Sequence, residues 1–350
     1  MLVFATSDKG GTGRSVTSSN LVYRRALTGA NVCYLDFDFG SPTAGAIFQL
    51  SDLGQGIADG GLHSYLRGRE RADDGADPRA QDGGRSGRRG TAAGRSAAAV
   101  ATVATAPGRT RLVKVDEPRQ IDVWTESGRT SLRTRPTYAG KMVLLPGDRD
   151  GGEFQLDDDA VDRCTRLFVR LDEEFDLCLV DLSAGRSQAT ELVLRATARP
   201  ELSRAVCRWL VFHRWTRQHI PAAAGLAFGG DGIVATGVRF GHDEQQLADS
   251  IRFVRTAFVD PDSTALAGLR PSQVAWLRDC HQDLQELAGR RSPGAMRILG
   301  TIPLDPVLQW REQLISDNDV YARQIANEDT TKAFSNLAEA LIDPAAWESL

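Results

Sequence analysis

Residues 2–17 read LVFATSDKGGTGRSVT, and this stretch decides how the rest of the chain is interpreted. Its first residues are apolar and predict a buried strand, which runs into a glycine-rich turn ending at Ser15. Helical spacing of apolar residues begins directly after the turn. Such a turn presents consecutive backbone N–H groups at the start of a helix, where they bind phosphate. The stretch therefore predicts a phosphate-binding loop between a strand and a helix.

The spacing of the turn resembles the phosphate loop of P-loop NTPases, G-x-x-x-x-G-K-[ST]. Lys9, ahead of two glycines, resembles the deviant form K-G-G-x-G-K-[ST] of the ParA/MinD family of dimeric ATPases. The resemblance implies ATP and Mg²⁺ as cofactors and a homodimer in which Lys9 reaches the nucleotide of the partner. The residues that it assigns to the nucleotide in this loop are Lys9, Gly10, Gly11, Thr12, Gly13, Arg14, Ser15 and Val16.

Arg14 stands where the family has a lysine. It keeps the positive charge, but its planar guanidinium is larger than the compact ammonium of lysine. We expect Arg14 to hold phosphate together with the loop N–H groups and to disturb catalysis. Nucleotide binding would then survive better than hydrolysis.

Two acids follow the next predicted strand, residues 31–38, which ends in Asp36 and Asp38. The order strand, helix, strand implies a right-handed parallel unit, whose ligand crevice lies at the carboxyl ends of the strands. The pair resembles the D-x-D segment of the ParA/MinD family. That resemblance gives Asp38 the role of positioning the attacking water and Asp36 a supporting place around the metal ion.

A third acid, Asp181, ends the apolar run 175–182 and resembles the Walker B position, in a D-x-x-x-G version with Ser183-Ala184 in place of two prolines. Magnesium needs only one or two protein oxygens beside its waters. The resemblance therefore assigns magnesium to Ser15 and Asp181, with Asp36 and Asp38 nearby.

Residues 297–305 resemble the last strand of the family and its G-x-[IV]-P loop, which places Pro303 against the nucleotide base. Family members also place an asparagine after a late strand to read adenine. We find no counterpart in residues 230–237, so the sequence leaves the base preference open.

The predicted fold class is α/β: a doubly wound, mostly parallel sheet flanked by helices. The resemblance covers residues 1–66 and 140–342, which makes the chain one P-loop domain over 1–350. Residues 67–120 are predicted to be a disordered insertion, because Arg, Gly and Ala dominate most of this segment and it has too few large apolar residues to bury. The insertion is basic, which allows two interpretations. It binds DNA through the phosphates, or its charges only keep a loop soluble.

The composition excludes several classes of protein. A net charge of −4 and a pI of about 5.8 give no overall attraction to nucleic acid or anionic membrane. The five cysteines are scattered without a C-x-x-C pair, which argues against an iron–sulfur site. Because no leader, long apolar run or basic amphipathic tail is found, we expect a soluble cytoplasmic protein without a membrane anchor.

A cluster of His213 and His219 with neighbouring Arg and Trp residues has no metal-ligand spacing, and we favour a structural or interface role for it. Three functions remain open. The first is a nucleotide-dependent dimeric switch that positions a protein partner or cargo and hydrolyses ATP slowly. The second is a non-hydrolysing scaffold with the same fold. The third is a DNA-partitioning ATPase that uses the basic insertion.

Overall fold

The computed structural model describes residues 1–51, 53–68, 70–72, 112–114, 117–149, 151–263, 266–291 and 296–348. Most of the predicted disordered insertion, residues 73–111, lies outside these described residues. Among the described residues, no helix is both long and apolar enough to cross a membrane.

One large sheet forms the centre of the described structure, and a two-stranded antiparallel pair, β3 with β4, accompanies it. The strands are β1 (Leu2–Thr6), β2 (Val32–Phe37), β3 (Glu70–Ala72), β4 (Leu112–Lys114), β5 (Ile121–Asp122), β6 (Met142–Leu145), β7 (Leu177–Leu182), β8 (Cys207–Arg214), β9 (Ile251–Phe258) and β10 (Ile298–Pro303). The order in the large sheet is β10-β9-β8-β1-β7-β2-β6-β5. All of its pairings are parallel except that of β5 with β6. The predicted mostly parallel sheet is confirmed.

Helices cover both faces of this sheet. They are α1 (Arg14–Leu27), α2 (Ala44–Ile47), α3 (Leu62–Leu66), α4 (Val123–Glu126), α5 (Thr130–Arg133), α6 (Asp158–Glu174), α7 (Gln188–Thr197), α8 (His219–Phe228), α9 (Ile233–Arg239), α10 (Glu244–Asp249), α11 (Pro271–Arg291), α12 (Pro306–Trp310) and α13 (Glu328–Ile342). Alternate residues of β1 point to opposite faces of the sheet. Leu2 and Phe4 pack with α6 and α7, whereas Val3 and Ala5 pack with α1 and α13. The doubly wound arrangement is therefore confirmed.

Helix α1 positions the glycine-rich loop, because it starts directly after Gly13 and its buried face packs on the sheet. It ends at Leu27, and Gly29 follows with a φ of 95°, a conformation that favours glycine. The predicted end of this helix is thereby confirmed. Strand β2 begins three residues later and carries Asp36 to the same edge of the sheet.

Two predicted helices near the end of the chain are wrong in extent. The helix predicted over 307–315 is only the short α12, and the one predicted over 319–327 is a π-helical turn, Asn318–Ala322. The reason is that Asn20 of α1 holds the chain between them in a non-helical path. Its side-chain amide donates to the carbonyl of Gln313 and accepts from the N–H of Ile315.

Candidate functional site

The glycine-rich loop lies at the carboxyl edge of the sheet, between β1 and α1, where it was predicted. Gly11 and Gly13 have φ values of 71° and 76°, which a residue with a side chain adopts only with strain. A Cβ added to Gly10 or Gly11 would meet no other atom within 4 Å, so this side of the loop is open. The loop therefore has the accessible backbone that a phosphate group needs.

The backbone N–H groups of residues 10–16 have no acceptor among the residues that the structure describes. The carbonyl of Thr12 points the other way, because it accepts a hydrogen bond from Thr256 Oγ1 of β9. Lys9 is exposed at the tip of the loop, as a residue reaching toward a second subunit would have to be. These features make the loop a donor surface for an anion.

Arg14 borders the open side of the loop with Gly10 and Gly11, but its guanidinium is bound to carboxylates. Its Nε donates to Asp181 Oδ1 over 2.5 Å, and its Nη2 donates to Asp38 Oδ2 over 3.0 Å and to Ser15 Oγ over 3.3 Å. The Arg14 side chain is only 7% exposed. The structure thus brings together four predicted site residues, and the guanidinium of Arg14 lies between the other three, Ser15, Asp38 and Asp181.

The negative charges of Asp181 and Asp38 stabilise the positive charge of Arg14. Burial acts to lower the pKa of Arg14, but the nearby carboxylates of Asp181 and Asp38 outweigh it and raise the pKa above its ordinary value. Asp181 also accepts a hydrogen bond of 2.7 Å on Oδ2 from the buried hydroxyl of Tyr34. Burial, followed by the charge of Asp181, raises the pKa of Tyr34 well above its usual range. Arg14 and Tyr34 together hold both oxygens of Asp181.

Asp36 stands apart from this cluster. One carboxyl oxygen accepts from the backbone N–H of Ala44 at 3.0 Å, and the other has no hydrogen-bond partner among the described residues. Burial first, and the charge of Asp181 second, raise the pKa of Asp36 to about 8. Asp36 therefore keeps its proton up to about pH 8 in this arrangement.

The predicted magnesium ligands do not fit a magnesium ion in this arrangement. Ser15, Asp38 and Asp181 all contact the Arg14 guanidinium, so their oxygen atoms already surround a cation that belongs to the chain. Magnesium requires oxygen ligands at about 2.0–2.1 Å and normally keeps several waters. A magnesium ion would therefore have to compete with the guanidinium for these oxygens.

A cavity of about 720 Å³ opens beside the loop, which is a typical size for a small-molecule site. Pro303 lines it, together with Gly13, Val16 and Thr17 at the start of α1. Of the residues on the other sides of the cavity, sequence reasoning missed Thr256, Ala257 and Trp310. These sides are formed by Arg214 of β8, Thr256 and Ala257 of β9, and Asp305 and Trp310 around α12.

The two histidines have internal contacts. The His213 ring lies between Trp215 and Phe253, and burial lowers its pKa to about 4. His219 accepts the backbone N–H of Arg214 on Nδ1. These contacts agree with the structural role that the sequence favoured.

No protein-family model matches this chain, and no curated protein sequence matches it significantly. Solved structures do match. The MinD cell division protein of Aquifex aeolicus is 13% identical, with a TM-score of 0.51, over 100% of this chain and 98% of that one. The plasmid partition protein of Borrelia burgdorferi B31 bound to AMPPNP is 12% identical, with a TM-score of 0.52, over 97% and 98%. MinD in the MinC:MinD complex of Aquifex aeolicus is 13% identical, with a TM-score of 0.50, over 100% and 97%. The fold implied by the ParA/MinD resemblance is confirmed.

Proposed function

We propose that this chain, which has the P-loop fold of MinD, binds a nucleoside triphosphate and works as a nucleotide-dependent dimeric switch that positions a protein partner or cargo in the cytoplasm. The observation that carries the proposal is the open loop of residues 10–16, whose N–H groups lack protein acceptors among the described residues. Gly11, Thr12, Gly13 and Val16 of this loop line the 720 Å³ cavity. The fold neighbours support it, because one of them binds AMPPNP and another is complexed with MinC.

Each residue of the site has a role that follows from its position. The loop N–H groups receive the phosphates, and Val16 with Pro303 borders the space for the nucleoside. Exposed Lys9 is available to the nucleotide of a second subunit. Asp38 stands next to the loop and is partly exposed, so it can orient a water molecule.

Hydrolysis is slow in this proposal because Arg14 binds the groups on which catalysis would depend. Phosphoryl transfer relies on positioning and on charge stabilisation. Asp38 is engaged by Arg14, and the guanidinium is held in place by Asp181.

The same ion pairs favour a second candidate, a scaffold that keeps the fold and does not hydrolyse nucleotide. The DNA-partitioning hypothesis depends on the basic insertion, whose central part, 73–111, lies outside the described residues. It therefore remains a prediction from the sequence.

Titration calorimetry with ATP, combined with a phosphate-release assay, tests the proposal. We expect saturable binding and turnover at or below about 10⁻² per second, the range of P-loop GTPases acting without an activating protein. Asp38→Ala should retain binding and abolish the residual turnover, whereas Arg14→Lys should raise turnover about tenfold or more. Absence of ATP binding would contradict the proposal, and binding without turnover in both the parent and Arg14→Lys would establish the scaffold.

Trp310 gives a spectroscopic prediction for the same site. Its side chain is 90% exposed although it lines the cavity, so it is free to stack on a base. We expect Trp310→Ala to weaken ATP binding about tenfold, the size of one stacking contact. Trp310→Phe should keep the affinity but lose most of the ATP-dependent change in tryptophan fluorescence.

Trp276 on α11 provides the matched control. It is 64% exposed and does not line the cavity. Trp276→Phe and Trp276→Ala should retain both the fluorescence change and the affinity. A fluorescence change that persists in Trp310→Phe and disappears in Trp276→Phe would place the nucleoside elsewhere.

A further inference from the structure

The Arg14 cluster has the composition of a metal site but contains a protein cation. The guanidinium contacts a hydroxyl and two carboxylates, which are Ser15, Asp38 and Asp181. These are hard oxygen donors of the kind that bind a divalent cation in nucleotide sites. One positive charge of the chain itself therefore already lies among these donors and offsets part of their negative charge.

The cluster is held in place from several sides. Asp181 is only 1% exposed, and Tyr34 fixes the oxygen that Arg14 leaves free. Breaking a buried pair of this kind leaves an uncompensated charge away from water, which is strongly unfavourable. A hydrated metal ion would have to displace the guanidinium from Asp181 before it gained a ligand.

Arg14 also has hydrogen-bonding capacity to spare. Of its five N–H donors, the Nε donor and those of Nη2 serve the cluster. Nη1 makes no hydrogen bond to another described residue and is not buried without a partner. A guanidinium in this state can add a phosphate oxygen to its contacts without releasing the carboxylates.

We infer that Arg14 is the resident cation of this site: it takes the place of the divalent metal ion, and the chain binds its nucleoside triphosphate without magnesium. The part of this inference that concerns nucleotide rests on the proposed function. The part that concerns the metal ion rests only on the Arg14 cluster.

The first experiment uses Mn²⁺ alone as the probe, with electron paramagnetic resonance of the full-length protein. The parent should bind Mn²⁺ at least about tenfold more weakly than Arg14→Lys and Arg14→Ala, because both substitutions release the carboxylates from the guanidinium. Adding Asp181→Asn to Arg14→Lys should remove the gain in Mn²⁺ affinity. Arg14→Lys keeps a positive charge in the loop, so the comparison stands even where Arg14→Ala folds poorly.

Arg24 offers a matched control in the same helix. It is also a buried arginine, and it forms an ion pair with Asp317 at 2.6 Å. Arg24→Ala should gain no Mn²⁺ affinity, because a single carboxylate remains there. Mn²⁺ binding by the parent as tight as by Arg14→Lys would overturn the inference.

The second experiment measures ATP binding by calorimetry in EDTA and in excess Mg²⁺. The ATP affinities of the parent in EDTA and in excess Mg²⁺ should lie within about twofold of each other. Arg14→Lys should bind ATP about tenfold more weakly in EDTA than in Mg²⁺. A tenfold loss in EDTA for the parent would overturn the inference. If ATP binds under neither condition, the proposed function fails, and the replacement of the metal by Arg14 is decided by the manganese experiment.

Discussion

Replacing Arg14 by alanine lowers the free energy of unfolding by about 3–5 kcal/mol, the cost of removing one partner from a buried ion pair. The reason is the environment of Asp181, which is 1% exposed and would keep only the hydrogen bond from Tyr34. Asp38, which is less buried, would also lose its partner. Urea unfolding at pH 7.5, followed by circular dichroism, measures the change.

Two further variants show whether the buried charge is the cause. Asp181→Asn in the Arg14→Ala background should recover part of the loss, because it removes the unpaired charge. Arg24→Ala should cost less, since its partner Asp317 is 60% exposed and remains hydrated when the arginine is removed. A loss below about 1 kcal/mol for Arg14→Ala would mean that the ion pairs are not formed in solution.

Asp36→Asn should make the protein more stable at alkaline pH. The folded protein raises the pKa of Asp36 from 3.8 to about 8, chiefly through burial and then through the charge of Asp181. Between these two values the folded state binds more protons than the unfolded state, so stability falls as the pH rises. Each pH unit within this window changes the free energy of unfolding by at most about 1.4 kcal/mol for one group.

The comparison between pH 6 and pH 8 gives the measurement for Asp36. From pH 6 to pH 8 the free energy of unfolding of the parent, measured in urea, should fall by about 2–3 kcal/mol more than that of Asp36→Asn. Asp36→Ala serves as a second variant, because it removes the titrating group and also the acceptor for the N–H of Ala44. It should have the same pH dependence as Asp36→Asn and lower stability at every pH. Equal slopes for the parent and Asp36→Asn would show that Asp36 is already ionised at pH 6.

The fold was predictable because its strongest signals are local. The strand, turn and helix around Gly10–Ser15 occupy consecutive residues, and the glycines have to be where φ is positive. Strands β2 and β7 were also recognisable, since both are apolar runs that end in an acid and are buried on both faces. These elements were sufficient to predict the class of sheet and the edge at which the site lies.

Strand β9 was missed because arginines interrupt its apolar pattern. Arg252 lies over the ring of Trp347, and Arg255 lies over the ring of Trp215 at 3.9 Å from its centroid. These aromatic partners are distant in the sequence, so no local pattern reveals them. Missing β9 also meant missing Thr256, which holds the phosphate loop from behind.

The role of Arg14 was predicted only in part. Its position in the loop and its charge could be read from the sequence, and we expected it to hold phosphate. The structure instead directs the guanidinium to Asp181, which is 167 residues away, and to Asp38. Side-chain direction across neighbouring strands depends on tertiary packing, which the spacing of a motif does not specify. Binding of nucleotide and the formation of a homodimer remain predictions.

The position of β1 in the sheet has a consequence for biosynthesis. This first strand pairs with β7 and β8, so Leu2 lies beside Cys178 and Cys207. β8 ends about 200 residues after β1, and synthesis of this separation takes roughly 10–40 s at ordinary rates of translation. During most of that time the apolar strand has neither native neighbour, because β7 ends only about 30 residues before β8. The glycine-rich loop after β1 therefore gains its sheet framework only once this later part of the chain has been made.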